Sequence, residues 1–267
     1  MKDLQFTIFV IMTYSFAYMK HQMNSKFLLL LFLVVAMMAC KKANRFDCVK
    51  RTGKIQTETR ALNYFDVIQV ENNLHVFLVQ DTFFYAEIKA GKHLIANIET
   101  SIVDGKLFIK NNNKCNFTRS YKHKIEVYVH FKKLNELIYQ GTGPITSLNT
   151  IENDQFTFNA WDGTDTVKLN LNVPLVYTNI HTGVADLIVS GQAEQLYAYA
   201  KSSGTFRMQA FKCKNVYTNN QSSSDHFFYV TNKLEALVQY VGNTYYQGNP
   251  KEITQTINHQ GKLIQIQ

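Results

Sequence analysis

The sequence predicts an all-β fold, a right-handed parallel β-helix (β-solenoid) with about 20 residues per coil and an N-terminal part with some hairpin strands. Three observations lead there. Proline is scarce, 3 in 267 residues, and short runs alternate apolar with polar residues between Asn, Gly, Asp and Ser punctuation. The turn residues Gly143, Gly163, Gly183, Gly204 and Ser224 follow one another at 20, 20, 21 and 20 residues. Equivalent positions of those coils carry equivalent side chains. Phe156, Val176, Leu196, Val216 and Ala236 form one apolar column, and Phe158, Thr178, Ala198, Thr218 and Val238 a second. Past the turn, Val167, Leu187, Met208 and Phe228 continue the pattern, as do Leu169, Val189, Ala210 and Val230. Period two within a coil and period twenty between coils give each strand a buried row that only the coils above and below can cover. Right-handed winding follows from the general preference of parallel crossovers.

The first half reads as strands at 65–70, 74–80, 84–90, 98–104, 106–110 and 125–131, with one helical turn near residue 95. IETSIVDGKLFIK places Asp-Gly between two apolar runs, the pattern of a tight hairpin. QGTGPIT, residues 140–146, could be an anion cradle if read alone. Beside WDGTD, HTGVAD, KSSGTF and QSSSDHF it is the first of a series of coil corners, and no helix follows to offer its N-terminus to a phosphate.

The N-terminus carries an address. Lys26 precedes an apolar run from Phe27 to Ala39 that is too short to span a bilayer and closes on Ala39-Cys40. This resembles a bacterial lipoprotein signal, and the resemblance implies cleavage before Cys40 and lipidation of its thiol, although Met37 and Met38 depart from the usual residues there. Residues 1–39 are therefore read as signal peptide, with Met23 a candidate for the true start because it gives the signal its ordinary length. Residues 40–60 are read as the lipidated N-terminus and tether, and 61–267 as a single solenoid domain. Of the 4 cysteines, Cys40 is assigned to lipid. Cys48 and Cys115 are free to pair or not, and Cys213 is expected in the core. The formal net charge of +8 is modest and forms no dense basic block. KKANR after Cys40 suits a membrane-proximal tether and YKHKIEVYVHFKK a strand with solvated lysines, so no nucleic-acid partner is expected.

The outward columns are where a ligand would bind. Tyr177, Tyr197 and Tyr217 stand at successive coils between Thr157 and Leu237. Asn159, Asn179, Tyr199, Asn219 and Gln239 run beside them, and Trp161, His181, Lys201 and Gln221 farther along. Aromatic rings flanked by amides and hydroxyls suit sugars, so Tyr177, Tyr197, Tyr217, Asn179, Tyr199 and Trp161 are the candidate ligand-binding residues. The competing reading is a ladder that only packs on itself and shields the sheet.

An enzyme would need clustered carboxylates. Asp162 and Asp165 share a coil but start no acidic column, since Ala185 follows Asp165. His181 and His226 have no carboxylate at fixed spacing and are expected at the surface. No catalytic residue, metal site or cofactor is expected, and a polysaccharide-degrading β-helix enzyme is the weakest reading.

The signal ending in Cys, the opening FDVIQVENNLHVFLVQ, the hairpin IETSIVDGKLFIK, and QGTGPI followed by coil repeats together resemble the putative auto-transporter adhesin, head-GIN-domain family of bacterial envelope proteins. The similarity covers roughly residues 61 to 250. Thr142 and Pro144 stand where that family usually has Ser and Asp. The resemblance implies a right-handed β-helix, a cell-envelope location, in keeping with a lipid anchor on the outer membrane, and a role in adhesion. It implies no catalytic set. A glycan or a cell-surface protein is the expected partner. The alternative is a structural or assembly protein that binds a protein partner, or itself, through an open solenoid end such as ITQTINHQGKLIQIQ.

Overall fold

The computed structural model describes residues 52–114 and 124–267, within one unit, Lys50–Gln267. The signal boundary, the start at Met23, the lipidation of Cys40 and the pairing of Cys48 with Cys115 lie outside the described residues.

Nineteen strands form the described fold in chain order: β1 Ile55–Ala61, β2 Val67–Asn72, β3 His75–Gln80, β4 Tyr85–Gly91, β5 Ile98–Val103, β6 Lys106–Asn111, β7 Glu126–Phe131, β8 Glu136–Gly141, β9 Ile145–Ser147 and β10 Ile151–Glu152 in the first half. The second half has β11 Gln155–Ala160, β12 Thr166–Asn172, β13 Leu175–Ile180, β14 Asp186–Ala200, β15 Thr205–Asn220, β16 His226–Val238, β17 Thr244–Gln247, β18 Glu252–Ile257 and β19 Leu263–Gln265. A single turn of helix, α1 (Lys92–Ile95), follows β4 and buries Leu94 and Ile95. The fold is an all-β solenoid with coils of about twenty residues, as the punctuation requires.

Two long faces build it. On the first, β5, β6, β2, β8, β11, β13, the C-terminal parts of β14, β15 and β16, and finally β18 lie side by side. The second contains β1, β4, β7, β3, β9, β12, the N-terminal parts of β14 to β16, then β17 and β19. Most pairings are parallel and in register. The exceptions are the β5–β6 hairpin and the antiparallel pairs β1–β4 and β4–β7. The hairpin turns on Asp104 (φ 51°) and Gly105 (φ 75°), the paired left-handed conformation of a tight two-residue turn. β2 and β3 already pair in parallel with their neighbours, so the solenoid ladder extends farther toward the N-terminus than the coil repeat alone indicated.

Alternate side chains of each strand meet inside. Phe156, Val176, Leu196 and Val216 are all fully buried, as are Phe158 and, nearly so, Thr178 and Ala198. At roughly 1.5–3 kcal/mol for each large apolar side chain, these columns hold the coils together. Cys213 is a free, buried thiol whose pKa burial pushes up, as a packed core cysteine should be.

Strict periodicity misplaces a member in each of the four columns. Val216 pairs with Leu234 and Thr218 with Ala236, not with Ala236 and Val238, because register shifts near Met208/Lys212 and Cys213/Asn215 shorten that coil. Leu187 pairs with Phe206 instead of Met208. A second irregularity between Ile188 and Ser190 then leaves Ala210 exposed opposite Ser190, outside the core column. His226, expected at the surface, is fully buried.

The corner glycines are there for close approach between coils. A Cβ on Gly143 would lie 2.2 Å from the Leu74 carbonyl oxygen, and one on Gly204 would lie 2.3 Å from that of Ala185. QGTGPIT is locked by the same geometry. The buried Tyr139 hydroxyl donates to the Gly143 carbonyl at 2.9 Å and accepts from the Asp165 amide at 3.1 Å.

Candidate ligand-binding face

In-register pairing of Tyr177 with Tyr197 and of Tyr197 with Tyr217 sets their rings in one outward column on the first face. The rings stack nearly parallel, 5.1 Å apart at 13° and 4.7 Å apart at 9°. Stacking has a consequence for binding. The inner ring, Tyr197, has both faces covered by tyrosine and offers only its edge and its hydroxyl, which donates to Gln195 Oε1 at 3.3 Å. Only the end rings keep a face that no aromatic covers. Beyond Tyr217 the column continues with Glu235 and then Thr254, not with Leu237, because of the shortened coil.

The neighbouring outward column runs Asn159, Asn179, Tyr199, Asn219, Leu237 and Thr256, so Leu237 and not Gln239 follows Asn219. Asn179 donates to Asn159 Oδ1 at 3.0 Å, and Asn159 donates to Glu136 Oε1 at 2.7 Å. Tyr199 interrupts this amide chain. Asn219 Oδ1, on its far side, is buried and has no hydrogen-bond partner among the described residues. Such an atom costs stability unless something donates to it.

Between the two columns lies an open groove of about 370 Å³, lined by Asn179, Tyr197, Tyr199, Tyr217, Asn219 and Glu235, with Leu237, Thr254 and Thr256 toward its end. Lys233 borders it. Its ammonium sits 5.8 Å from the Tyr217 ring centre, 3.5 Å from Glu252 and 3.7 Å from Glu235. Glu252 is the main reason that the lysine pKa is raised. The groove therefore combines one tyrosine ring and a carboxylate beside an ammonium group.

Four of the candidate residues, Asn179, Tyr197, Tyr199 and Tyr217, line this groove. Tyr177 sits one coil behind it in the ladder. Trp161 belongs to the corner, where it stacks on His181 at 3.9 Å and 10°, and burial lowers the His181 pKa. Glu235 and Lys233 did not emerge from the sequence, because the twenty-residue repeat set Leu237 after Tyr217. Aromatic stacking is not peculiar to this face. Phe77 stacks on Tyr128 at 4.5 Å and Phe227 on Tyr245 at 4.9 Å along the second face. The groove at the ladder's end distinguishes the first.

The Ser222–His226 pair has the partners of a nucleophile and base but the wrong protons. His226 Nδ1 accepts the Phe206 amide at 3.1 Å, which leaves Nε2 protonated toward Ser222 Oγ at 3.0 Å. Ser222 in turn donates to Asn220 Oδ1 at 2.8 Å. The imidazole thus donates a hydrogen bond to the serine oxygen instead of accepting one, and burial pushes its pKa down to about 3. Among the described residues, no three His, Cys, Asp or Glu side chains group closely enough to hold a metal ion.

A parallel β-solenoid with an aromatic ladder and a shallow polar groove is a repeat protein by its architecture. Residues 64–250 match the family model described as putative auto-transporter adhesin, head GIN domain, and the chain belongs to that family. A putative adhesin from Bacteroides fragilis NCTC 9343 has a similar fold, with a TM-score of 0.73 and 20% identity over 80% of this chain and 97% of that one. A putative lipid binding protein from Parabacteroides distasonis ATCC 8503 aligns with TM-score 0.60 and 17% identity, covering 80% of this chain and 98% of its own. A putative adhesin from Parabacteroides merdae ATCC 43184 aligns with TM-score 0.56 and 16% identity, over 81% and 98%. No curated protein matches the sequence.

Proposed function

We propose that this protein is a non-enzymatic, lipid-anchored β-solenoid of the bacterial cell envelope that binds glycan in the groove where the tyrosine ladder ends. The family and the folds it resembles support adhesion at the cell surface. The lipoprotein-like segment ending at Cys40 supports an anchor on the outer membrane. The observation that carries the glycan reading is the groove itself. A pyranose ring can pack against the Tyr217 ring while its hydroxyls donate to Glu235 and accept from Lys233. A glycan array probed with the protein and with the Tyr197→Ala/Tyr217→Ala double variant tests this. Signals on a restricted set of glycans that vanish in a variant that still folds, with only the modest loss of stability expected from broken ring stacking, are expected. An identical array profile for both proteins removes the reading.

The structural or assembly reading is favoured by a different observation, the open strand edge at the C-terminal end of the first face.

A further inference from the structure

The two ends of the first face are finished differently. At the N-terminal end, Arg60 from β1 reaches over β5. Its guanidinium donates to the carbonyls of Ile95 at 3.2 Å and Ile98 at 2.6 Å and to the Thr100 hydroxyl at 3.0 Å. Helix α1 tucks Leu94 and Ile95 beneath. That end is closed. At the C-terminal end β18 pairs with β16 on one side and with no other strand among the described residues. All six of its residues are exposed.

The register shows what that exposure leaves open. Ile253 lies opposite Leu234, Gln255 opposite Ala236 and Ile257 opposite Val238, and those three partners are buried core residues. The row Ile253, Gln255, Ile257 therefore continues the core columns into solvent, with the isoleucines 45% and 43% exposed. A bare parallel edge with apolar residues in its inward row is a template for another strand.

We infer that β18 pairs antiparallel with β18 of a second copy of this chain, about a twofold axis through Gln255. The segment is self-complementary in that register alone. Ile253 then faces Ile257 of the other copy, Gln255 faces Gln255 so that their amides can exchange hydrogen bonds, and Thr254 faces Thr256 on the outer side. Shifting the pairing by one residue would set the isoleucines against threonine or charge and turn the inward row outward. The electrostatics agree. Glu252, the strand's one acid, is already met by Lys233 at 3.5 Å and would face Asn258, so no like charges oppose each other. A head-to-tail stack is disfavoured because Arg60 and α1 occupy the other end. The inference stands independently of glycan binding, since β18 contributes to the groove only through Thr254 and Thr256 at its far end.

Cysteine cross-linking of the full chain in cells tests it. The chain carrying Gln255→Cys is compared with the chain lacking the new cysteine, after mild oxidation and separation without reductant. A covalent dimer is expected from Gln255→Cys, and from cells expressing Ile253→Cys and Ile257→Cys together, but not from Ile253→Cys alone, whose two copies would be four residues apart along the strands. Adding Ile253→Lys and Ile257→Lys to the Gln255→Cys chain should abolish the dimer while leaving thermal unfolding unchanged, since both side chains are exposed. Absence of a Gln255→Cys dimer, or cross-linking of Ile253→Cys alone with equal yield, overturns the inference.

Discussion

His226 sits at a coil corner with both ring nitrogens engaged and its side chain out of water, so the folded protein holds it neutral. The unfolded chain binds a proton near pH 6.5, whereas in the fold the pKa is pushed down to about 3. Stability from this residue is complete above the unfolded value and is lost as pH falls between the two, at roughly 1.4 kcal/mol per pH unit. Melting curves from about pH 7 to about pH 4 should show a falling Tm that flattens in His226→Gln, because glutamine has no such proton to take up. Gly183 is the second exacting position. Its φ is +88° and a Cβ would lie 2.4 Å from the Gly163 carbonyl oxygen, so Gly183→Ala should cost about 2 kcal/mol or more, measured by denaturant unfolding. The glycine's place was legible in the spacing of the corners. The burial of His226 was not, because it depends on Asn220 and Ser222 folding back on the corner, and a polar QSSSDHF run gives no apolar signal of that.

At the scale of the strand, alternation and period were enough to identify the ladders, the Asp-Gly hairpin and the tyrosine column, because in-register pairing carries each side chain onto its equivalent one coil later. They failed where the backbone departs from the repeat. The bulges that shorten the passage from β15 to β16 moved Glu235 into the place counted for Leu237, and with it the acidic part of the groove. The shortened coil is not marked by the turn residues, since Gly204 and Ser224 keep the twenty-residue spacing across it. The ladder predicts a ranking of its own tyrosines. Tyr177 and Tyr197 stack on their neighbours, each contact worth about 0.5–1.5 kcal/mol, so their replacement by leucine should lower stability modestly. Tyr217→Leu should lower it no more than Tyr197→Leu, since the end ring has one aromatic neighbour and the inner ring two.

For the molecule as a whole, the solenoid supplies long faces whose chemistry changes only column by column. Fold and family were legible because a repeat architecture writes its geometry into the sequence many times over. The groove was legible only in part, since four candidate tyrosine and asparagine residues line it while Trp161 and Tyr177 stand apart. The proposed lipid anchor rests on the sequence ending at Cys40, outside the described residues. Mass spectrometry of the mature N-terminus should find Cys40 first and lipid-modified, with a Cys40→Ser chain left unprocessed. Protease shaving of intact cells should remove the solenoid if it acts outside the cell. In the proposed glycan site the end ring Tyr217, beside Lys233 and Glu235, carries the sugar contact, and the ladder as such does not. Calorimetric titration of a glycan selected on the array into the native protein, Tyr217→Leu and Tyr177→Leu tests it most directly. Tyr217→Leu should weaken Kd at least about tenfold, near 1.4 kcal/mol, and Tyr177→Leu should change it little. Equal losses in both variants, or none in Tyr217→Leu, would contradict it.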